Sequence, residues 1–308
     1  MIDSKIKNMM SIKTLKRKFN FIGFAIILSV LIQYALTFGY TYLLENYPVY
    51  FEIYTKLALD TIFNVLLLVL TFAFPFMIAQ FLLRIRFTEL FKKSKIDVAN
   101  RMGYVAIGIS IYLIVNFIAN ALAMQFGFTM PAMVDLKFQS NNMLSYILYL
   151  IYFILCIPLL EEYIFRGVLL RCFGLVGAKF AMIASAMVYT LMYLGKQEPV
   201  LSFVIGMFLA YVAMIDGSVW TVVAVRIGIH IIMIVGLFIP TEVGWIMGLI
   251  AAIIYAAAIY SIYSTRNHKA VLNESISLKE AWIYFFTSWC MVISLILLIL
   301  RSFYYILL

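Results

Sequence analysis

Glu161-Glu162-Tyr163-Ile164-Phe165-Arg166-Gly167 brings two carboxylates and a guanidinium to the end of an apolar segment, residues 145–160, that has no charged side chain. Ionisable groups inside a bilayer cost about 2.5–3.5 kcal/mol each on insertion scales, so they mark paired or functional positions. On a helix, Glu162 and Arg166 face each other, whereas Glu161 points roughly 100° away. We interpret Glu162 and Arg166 as a structural ion pair. Glu161 is then either free to act as a base for water or bonded to a neighbouring helix.

The rest of the chain is equally apolar. Of its 308 residues 66% are hydrophobic and 12% are charged, and the mean hydropathy is +1.05. A soluble domain cannot bury so much apolar surface, so the sequence predicts an all-α, polytopic membrane bundle of about nine spans, eight at the least. The predicted spans are 20–43, 58–83, 102–126, 144–171, 178–195, 198–215, 219–238, 243–264 and 280–300. They divide into three amino-terminal spans (1–139), a core (140–265), and a loop with the final span (266–308).

The basic residues predict the orientation of these spans. With the amino terminus in the cytoplasm, seventeen lysines and arginines fall in inner segments and only four, Lys56, Lys137, Lys196 and Arg301, in outer ones. This distribution follows the positive-inside rule. We therefore attribute the formal net charge of +9 to membrane topology, and we predict no nucleic-acid partner.

The residue types present do not favour a bound metal or other cofactor. The chain has two histidines, His230 and His268, and no His-Glu-x-x-His segment. Its three cysteines, Cys156, Cys172 and Cys290, lack the paired spacing of a disulfide framework or a zinc ribbon. The sequence predicts no metal centre and no cofactor.

Residues 161–167 resemble the first motif of the CAAX-endopeptidase and bacteriocin-processing membrane proteases, the CPBP or Abi family. Ser185-Ala186-Met187-Val188-Tyr189-Thr190-Leu191-Met192-Tyr193-Leu194 looks like the helix of the second motif, and Asp216-Gly217-Ser218-Val219-Trp220 is similar to the turn that opens the third. The resemblance covers roughly residues 140–265. It implies a glutamate-type intramembrane endopeptidase, in which the first glutamate and a histidine of the second motif activate water. A later histidine and asparagine then stabilise the oxyanion.

The chain departs from this pattern at the polar positions. Tyr189 and Tyr193 stand where the family has phenylalanine and histidine, so the water-activating histidine is missing. Counted without gaps from the third-motif turn, Arg226 falls at the last histidine and His230 at the asparagine. An alignment with a one-turn insertion would instead place His230 at the histidine and Ile234 at the asparagine.

Under the gapless alignment, the predicted catalytic positions hold Glu161, Tyr193, Arg226 and His230. A tyrosine is a poor base at neutral pH, so Tyr193 could donate a hydrogen bond but could hardly share a proton with Glu161. Arg226 and His230, one turn apart, could donate to an oxyanion. Alternatively, Arg226 could pair with Glu161 and make the site a static polar plug.

Three functions remain open. The chain could be an active, slow peptidase that cleaves a membrane-bound peptide or protein near the cytoplasmic face. It could be a pseudoprotease that binds a membrane partner, such as a sensor kinase or an envelope enzyme, as the lost histidines suggest. It could also be a small transporter that uses Glu161, Arg226 and His230, although no repeat relates its halves. In each case we expect it to lie in lipid as a multi-pass protein of a bacterial cytoplasmic membrane.

Overall fold

The computed structural model of the protein describes residues 12–47, 56–126, 143–194, 199–239, 241–268, 270 and 276–307. Within these ranges the chain forms helices and no β-strand, which confirms the predicted all-α class. The helices, numbered in chain order, are α1 (Ile12–Asn46), α2 (Lys56–Leu68, π-helical Val69–Ala73 and Phe74–Leu82), α3 (Phe87–Leu90), α4 (Val98–Phe126), α5 (Met143–Ile151, π-helical Tyr152–Cys156, Ile157–Glu162, π-helical Tyr163–Leu169 and Leu170–Gly174), α6 (Ala178–Tyr193), α7 (Pro199–Asp216), α8 (Trp220–Phe238), α9 (Trp245–Thr265), α10 (Leu278–Phe286) and α11 (Trp289–Leu307).

Seven helices of the described chain are long and apolar enough to cross a membrane, namely α1, α2, α4, α5, α7, α8 and α9. Helices α10 and α11 meet at a bend of 78° and add an eighth span if they are counted together. The polytopic bundle is thus confirmed, with seven or eight such helices where the sequence predicted about nine. The difference comes from α6, whose 16 residues span only about 24 Å against a hydrocarbon core of about 30 Å.

Arg301 does not lie outside the membrane bundle, as the basic-residue count assumed. It is 4% exposed and belongs to α11, which continues to Leu307. Its Nη1 donates to Gln33 Oε1 of α1 at 2.9 Å, and its Nη2 donates to the backbone carbonyl of Met192 at the end of α6. The last span therefore carries this arginine into the protein interior, where polar groups from two other helices accept its hydrogen bonds.

The helices of the predicted core are held between the first and last helices and α4. Helix α6 packs on α7, α8 packs on α4, and α1 packs on α11. Helix α5 contacts α8 through Tyr152–Glu162 and α6 through Tyr163–Gly174. This arrangement brings the first-motif carboxylates of α5 against α6 and α8, which carry the other predicted site residues.

Gly23 allows α1 to approach the backbone of the first turn of α11. A Cβ atom at Gly23 would lie 2.3 Å from the backbone carbonyl carbon of Cys290 and 2.4 Å from the Met291 nitrogen. We therefore expect Gly23→Ala to lower the free energy of unfolding by about 1–3 kcal/mol, because a backbone contact cannot relax by a rotamer change. The control is Gly39→Ala in the same helix, where a Cβ meets nothing within 4 Å.

Thermal unfolding in detergent measures both variants. Gly39→Ala should be neutral or slightly stabilising, because alanine is the better helix former. Equal melting temperatures for the two variants would contradict the close approach of α1 and α11.

Candidate functional site

Glu161 and Glu162 lie where α5 alternates between π-helical and α-helical geometry. Two π-helical segments, Tyr152–Cys156 and Tyr163–Leu169, flank the α-helical turn Ile157–Glu162, which has Pro158 at its start. Proline has no N–H to donate to the preceding turn, and a wider π turn accommodates that loss. A π segment therefore precedes Pro158, and α5 continues as one helix from Tyr146 to Gly174.

Glu162 and Arg166 form an ion pair inside the protein. Arg166 Nη1 donates to Glu162 Oε1 at 3.2 Å, and both side chains are fully buried. Arg166 Nη2 donates to the Gly206 carbonyl of α7 at 3.1 Å. The guanidinium also lies 5.1 Å from the ring centroid of Tyr189, a cation–π distance. The pair thus joins α5 to α6 and α7.

Glu161 is held by Arg226 of α8. Arg226 Nε and Nη2 donate to the same oxygen, Glu161 Oε2, at 2.9 and 2.5 Å. The two side chains are 6% and 2% exposed. Arg226 Nη2 also donates to the Tyr189 hydroxyl, and Arg226 Nε lies 4.0 Å from Glu162 Oε1. Of the two arrangements that the sequence left open, the structure therefore has the direct ion pair, in a charge-balanced cluster of two glutamates and two arginines.

Tyr193 and His230 lie beside this cluster. Tyr193 packs against the Tyr189 ring at 5.0 Å, and its hydroxyl is a hydrogen-bond partner of the Glu161 carboxylate. His230 Nδ1 lies 2.7 Å from the Phe153 carbonyl oxygen, so Nδ1 carries a proton and donates it there. In the neutral imidazole, Nε2 is then an acceptor. This tautomer cannot supply the oxyanion donor that the sequence suggested for His230.

All four predicted site residues line one cavity of about 250 Å³. At about 30 Å³ per molecule, that volume corresponds to roughly eight waters, and it is below the usual size of a drug-sized ligand pocket. The cavity, as lined by the described residues, is therefore too small to hold a whole peptide substrate. The other polar residues that line the cavity are Gln33, Asn64, Thr71, Tyr112, Tyr152, Ser202 and Arg301.

The polar residues at the site that were not among the predicted ones include Tyr189, Gln33 and Arg301. Tyr189 supplies the hydroxyl that Arg226 contacts, and Gln33 and Arg301 reach the cavity from α1 and α11, outside residues 140–265. Tyr189 could have been found from the sequence, because it stands in place of the motif phenylalanine. Arg301 could also have been found, because it is an arginine at the end of an apolar span. Nothing in the sequence distinguishes Gln33.

The remaining candidates for metal chemistry lie apart from one another. His268 stacks near Tyr104, at 6.4 Å between ring centroids, and does not line the cavity. In the part of the chain that the structure describes, no three His, Cys, Asp or Glu side chains are grouped to hold a metal ion. The polar cluster is therefore a site of charged and hydroxyl side chains.

Comparison with known proteins identifies one family. A family model described as type II CAAX prenyl endopeptidase Rce1-like matches residues 143–232, under a third of the chain, from the start of α5 to most of α8. The matched segment contains Glu161, Tyr193, Arg226 and His230, and the match confirms the resemblance to the CPBP family. No curated protein and no solved structure matches the chain.

Proposed function

We propose that this multi-pass membrane protein, whose residues 143–232 are Rce1-like, is a pseudoprotease: it binds a membrane-bound peptide or protein and does not hydrolyse it at an enzymatic rate. The observation that carries the proposal is the ion pair of Glu161 with Arg226. The general base of a glutamate peptidase must present a lone pair to water. Here the Oε2 lone pairs point at a guanidinium.

The other groups that hydrolysis needs are also missing or turned away. Tyr193 replaces the imidazole that would share a proton with Glu161, a change that typically costs about 10²–10⁴ in rate. Arg226 is committed to Glu161 and Tyr189, and the His230 proton to the Phe153 carbonyl. Loss of one oxyanion donor costs about 10²–10³. If these two losses multiply, they lower the rate by about 10⁴–10⁷.

A binding role suits what remains of the site. The cavity is lined by helices of the matched segment, by α2 and α4, and by Gln33 and Arg301 of the first and last helices. A partner that entered it would meet apolar side chains, the ion pair of Glu161 with Arg226, and the positive charge of Arg301. Candidates are a membrane-bound sensor kinase or an envelope enzyme of a bacterial cytoplasmic membrane, and a prenylated CAAX-type peptide, which the name of the matched family suggests.

A second candidate, a slow glutamate peptidase, has one observation in its favour. The two hydrogen bonds that Arg226 donates to Glu161 both end on Oε2, and Glu161 lines the cavity. Oε1 is outside this contact with the guanidinium, so a water shared with Tyr193 and His230 could reach it in the cavity. The transporter hypothesis has no comparable support.

A reconstituted cleavage assay separates the two candidates. The protein and its Glu161→Gln variant are placed in lipid nanodiscs with a farnesylated CAAX peptide, and the peptide mass is followed over hours. We expect the peptide to stay intact with both proteins, because the wild-type base is occupied. Release of the terminal tripeptide by the wild type but not by Glu161→Gln would establish the slow peptidase instead.

A further inference from the structure

A second pocket, of about 360 Å³, lies at the end of the bundle where the segment 84–97 meets the turn between α7 and α8. It shares no lining residue with the cavity of the carboxylates. Three cations line it, Lys92, Arg166 and Arg171, and the described lining residues include no carboxylate. The pocket therefore offers a positive surface to an anion.

The turn at Gly217 holds two of these cations in place. Arg171 Nη2 donates to the Glu89 carbonyl at 2.7 Å and to the Gly217 carbonyl at 3.2 Å. Ser218 Oγ donates to the Lys92 carbonyl at 2.8 Å. Gly217 has a φ of +66°, and a Cβ atom there would lie 3.3 Å from Lys92 Nζ. The glycine thus permits the turn and leaves room for the ammonium group.

Arg166 contributes a buried donor. Its Nη1 and Nη2 bind Glu162 and the Gly206 carbonyl, but its Nε finds no hydrogen-bond partner among the described residues. A buried N–H without an acceptor costs about 1–3 kcal/mol or more when the group is charged. An anionic oxygen in the pocket would supply that acceptor.

Two carboxylates border the pocket. Glu89 pairs with Arg86 at 3.1 Å. Asp216 Oδ1 accepts from Ser94 Oγ and from the Lys95 nitrogen, both at 2.8 Å, but its buried Oδ2 has no hydrogen-bond partner among the described residues. Because Glu162 compensates Arg166, the charges that remain are those of Lys92, Arg171 and Asp216. Their sum is one positive charge, which matches the single negative charge of a lipid phosphodiester.

Exposed aromatic side chains near the pocket are the kind that mark the level of the lipid head groups. Trp220 is 41% exposed and Phe87 is 59% exposed. Trp220 Nε1 donates to the Phe91 carbonyl at 3.2 Å, and its ring packs against the Phe91 ring at 5.5 Å. Tryptophan is enriched at membrane–water interfaces. Basic pockets at such a depth bind the head groups of anionic lipids.

We propose that this pocket binds the phosphate of an anionic membrane lipid, with Lys92 and Arg171 facing its charge and Arg166 Nε donating from the pocket floor. The site is independent of the carboxylate cavity and of whether the protein hydrolyses peptides.

Lipid binding is measured by native mass spectrometry of the full-length protein, released from micelles that contain phosphatidylglycerol or phosphatidylcholine. We expect the wild type to retain phosphatidylglycerol preferentially. Lys92→Ala should weaken the apparent affinity for phosphatidylglycerol about fivefold, the effect of one basic residue near an anionic lipid surface. The matched control is Lys93→Ala, since Lys93 is exposed, adjacent and absent from the pocket lining.

Each other outcome overturns the proposal. Equal losses for Lys92→Ala and Lys93→Ala would indicate diffuse surface charge, and equal retention of both lipids by the wild type would exclude an anion-selective site. A separate arm adds inorganic phosphate at millimolar concentration. If phosphate displaces phosphatidylglycerol or raises the melting temperature as much as the lipid does, the source of the ligand is solution and the lipid proposal is wrong.

Discussion

Arg226→Met is expected to lower the free energy of unfolding by about 3–5 kcal/mol, because it leaves the Glu161 carboxylate buried without its partner. Glu161 and Arg226 are 2% and 6% exposed, so solvent cannot replace the lost contacts. The matched control is Arg86→Met, which breaks an exposed pair with Glu89 whose side chains are 81% and 50% exposed. That change should cost at most about 1 kcal/mol. Chemical or thermal unfolding in detergent measures both variants.

A double-mutant cycle separates the ion pair from the packing of Arg226. If the pair accounts for the loss, adding Glu161→Gln to Arg226→Met should recover most of it, since no charge is then buried without a partner. Arg226 also binds the Tyr189 hydroxyl, and the double variant does not restore that contact. If the double variant instead loses the sum of the two single effects, Glu161 and Arg226 are not energetically coupled.

Restoring the family residues is expected to create peptidase activity. Tyr193→His, Arg226→His and His230→Asn, made together, follow the gapless alignment of the third motif. They remove the guanidinium that occupies Glu161 Oε2 and return an imidazole beside that carboxylate. We expect cleavage of a farnesylated CAAX peptide to rise at least about 10²-fold over the wild type, the lower end of what a general acid–base partner contributes.

The matched control for this variant is the same triple substitution with Glu161→Gln. It should return the rate to the wild-type background, because Glu161 is the proposed base. Proper folding is checked first by the melting temperature of each variant. A folded triple variant that cleaves no faster than its Glu161→Gln control would mean that the identities at positions 193, 226 and 230 do not explain the loss of hydrolysis.

The helical membrane bundle and the ion pair of Glu162 with Arg166 could be predicted from the sequence, because both depend on short-range patterns. Apolar runs mark membrane helices wherever they are long enough, and the count differs at α6, whose 16 described residues are fewer than the roughly 20 that a span usually has. Glu162 and Arg166 are four residues apart on one helix, so helical periodicity alone brings them together.

The Glu161 pairing could not be deduced in this way. Arg226 lies 65 residues further along the chain than Glu161. The two side chains meet only because α8 packs on α5, and helical periodicity within one segment does not predict that packing. The proton position on His230 depends on the Phe153 carbonyl, a backbone group that a sequence does not distinguish. The division of the chain into segments 1–139, 140–265 and 266–308 stays a prediction. Arg301 of α11 belongs to the last of these segments, yet it lines the cavity that holds Glu161.

The most direct test of the pseudoprotease proposal needs no knowledge of the substrate. Cells that naturally produce this protein are made to express either the wild type or Glu161→Gln in place of it, at matched levels, and the amino and carboxyl termini of all membrane proteins are compared by mass spectrometry. The ion pair between Glu161 and Arg226 predicts identical sets of termini. A terminus that is present with the wild type and absent with Glu161→Gln would contradict it.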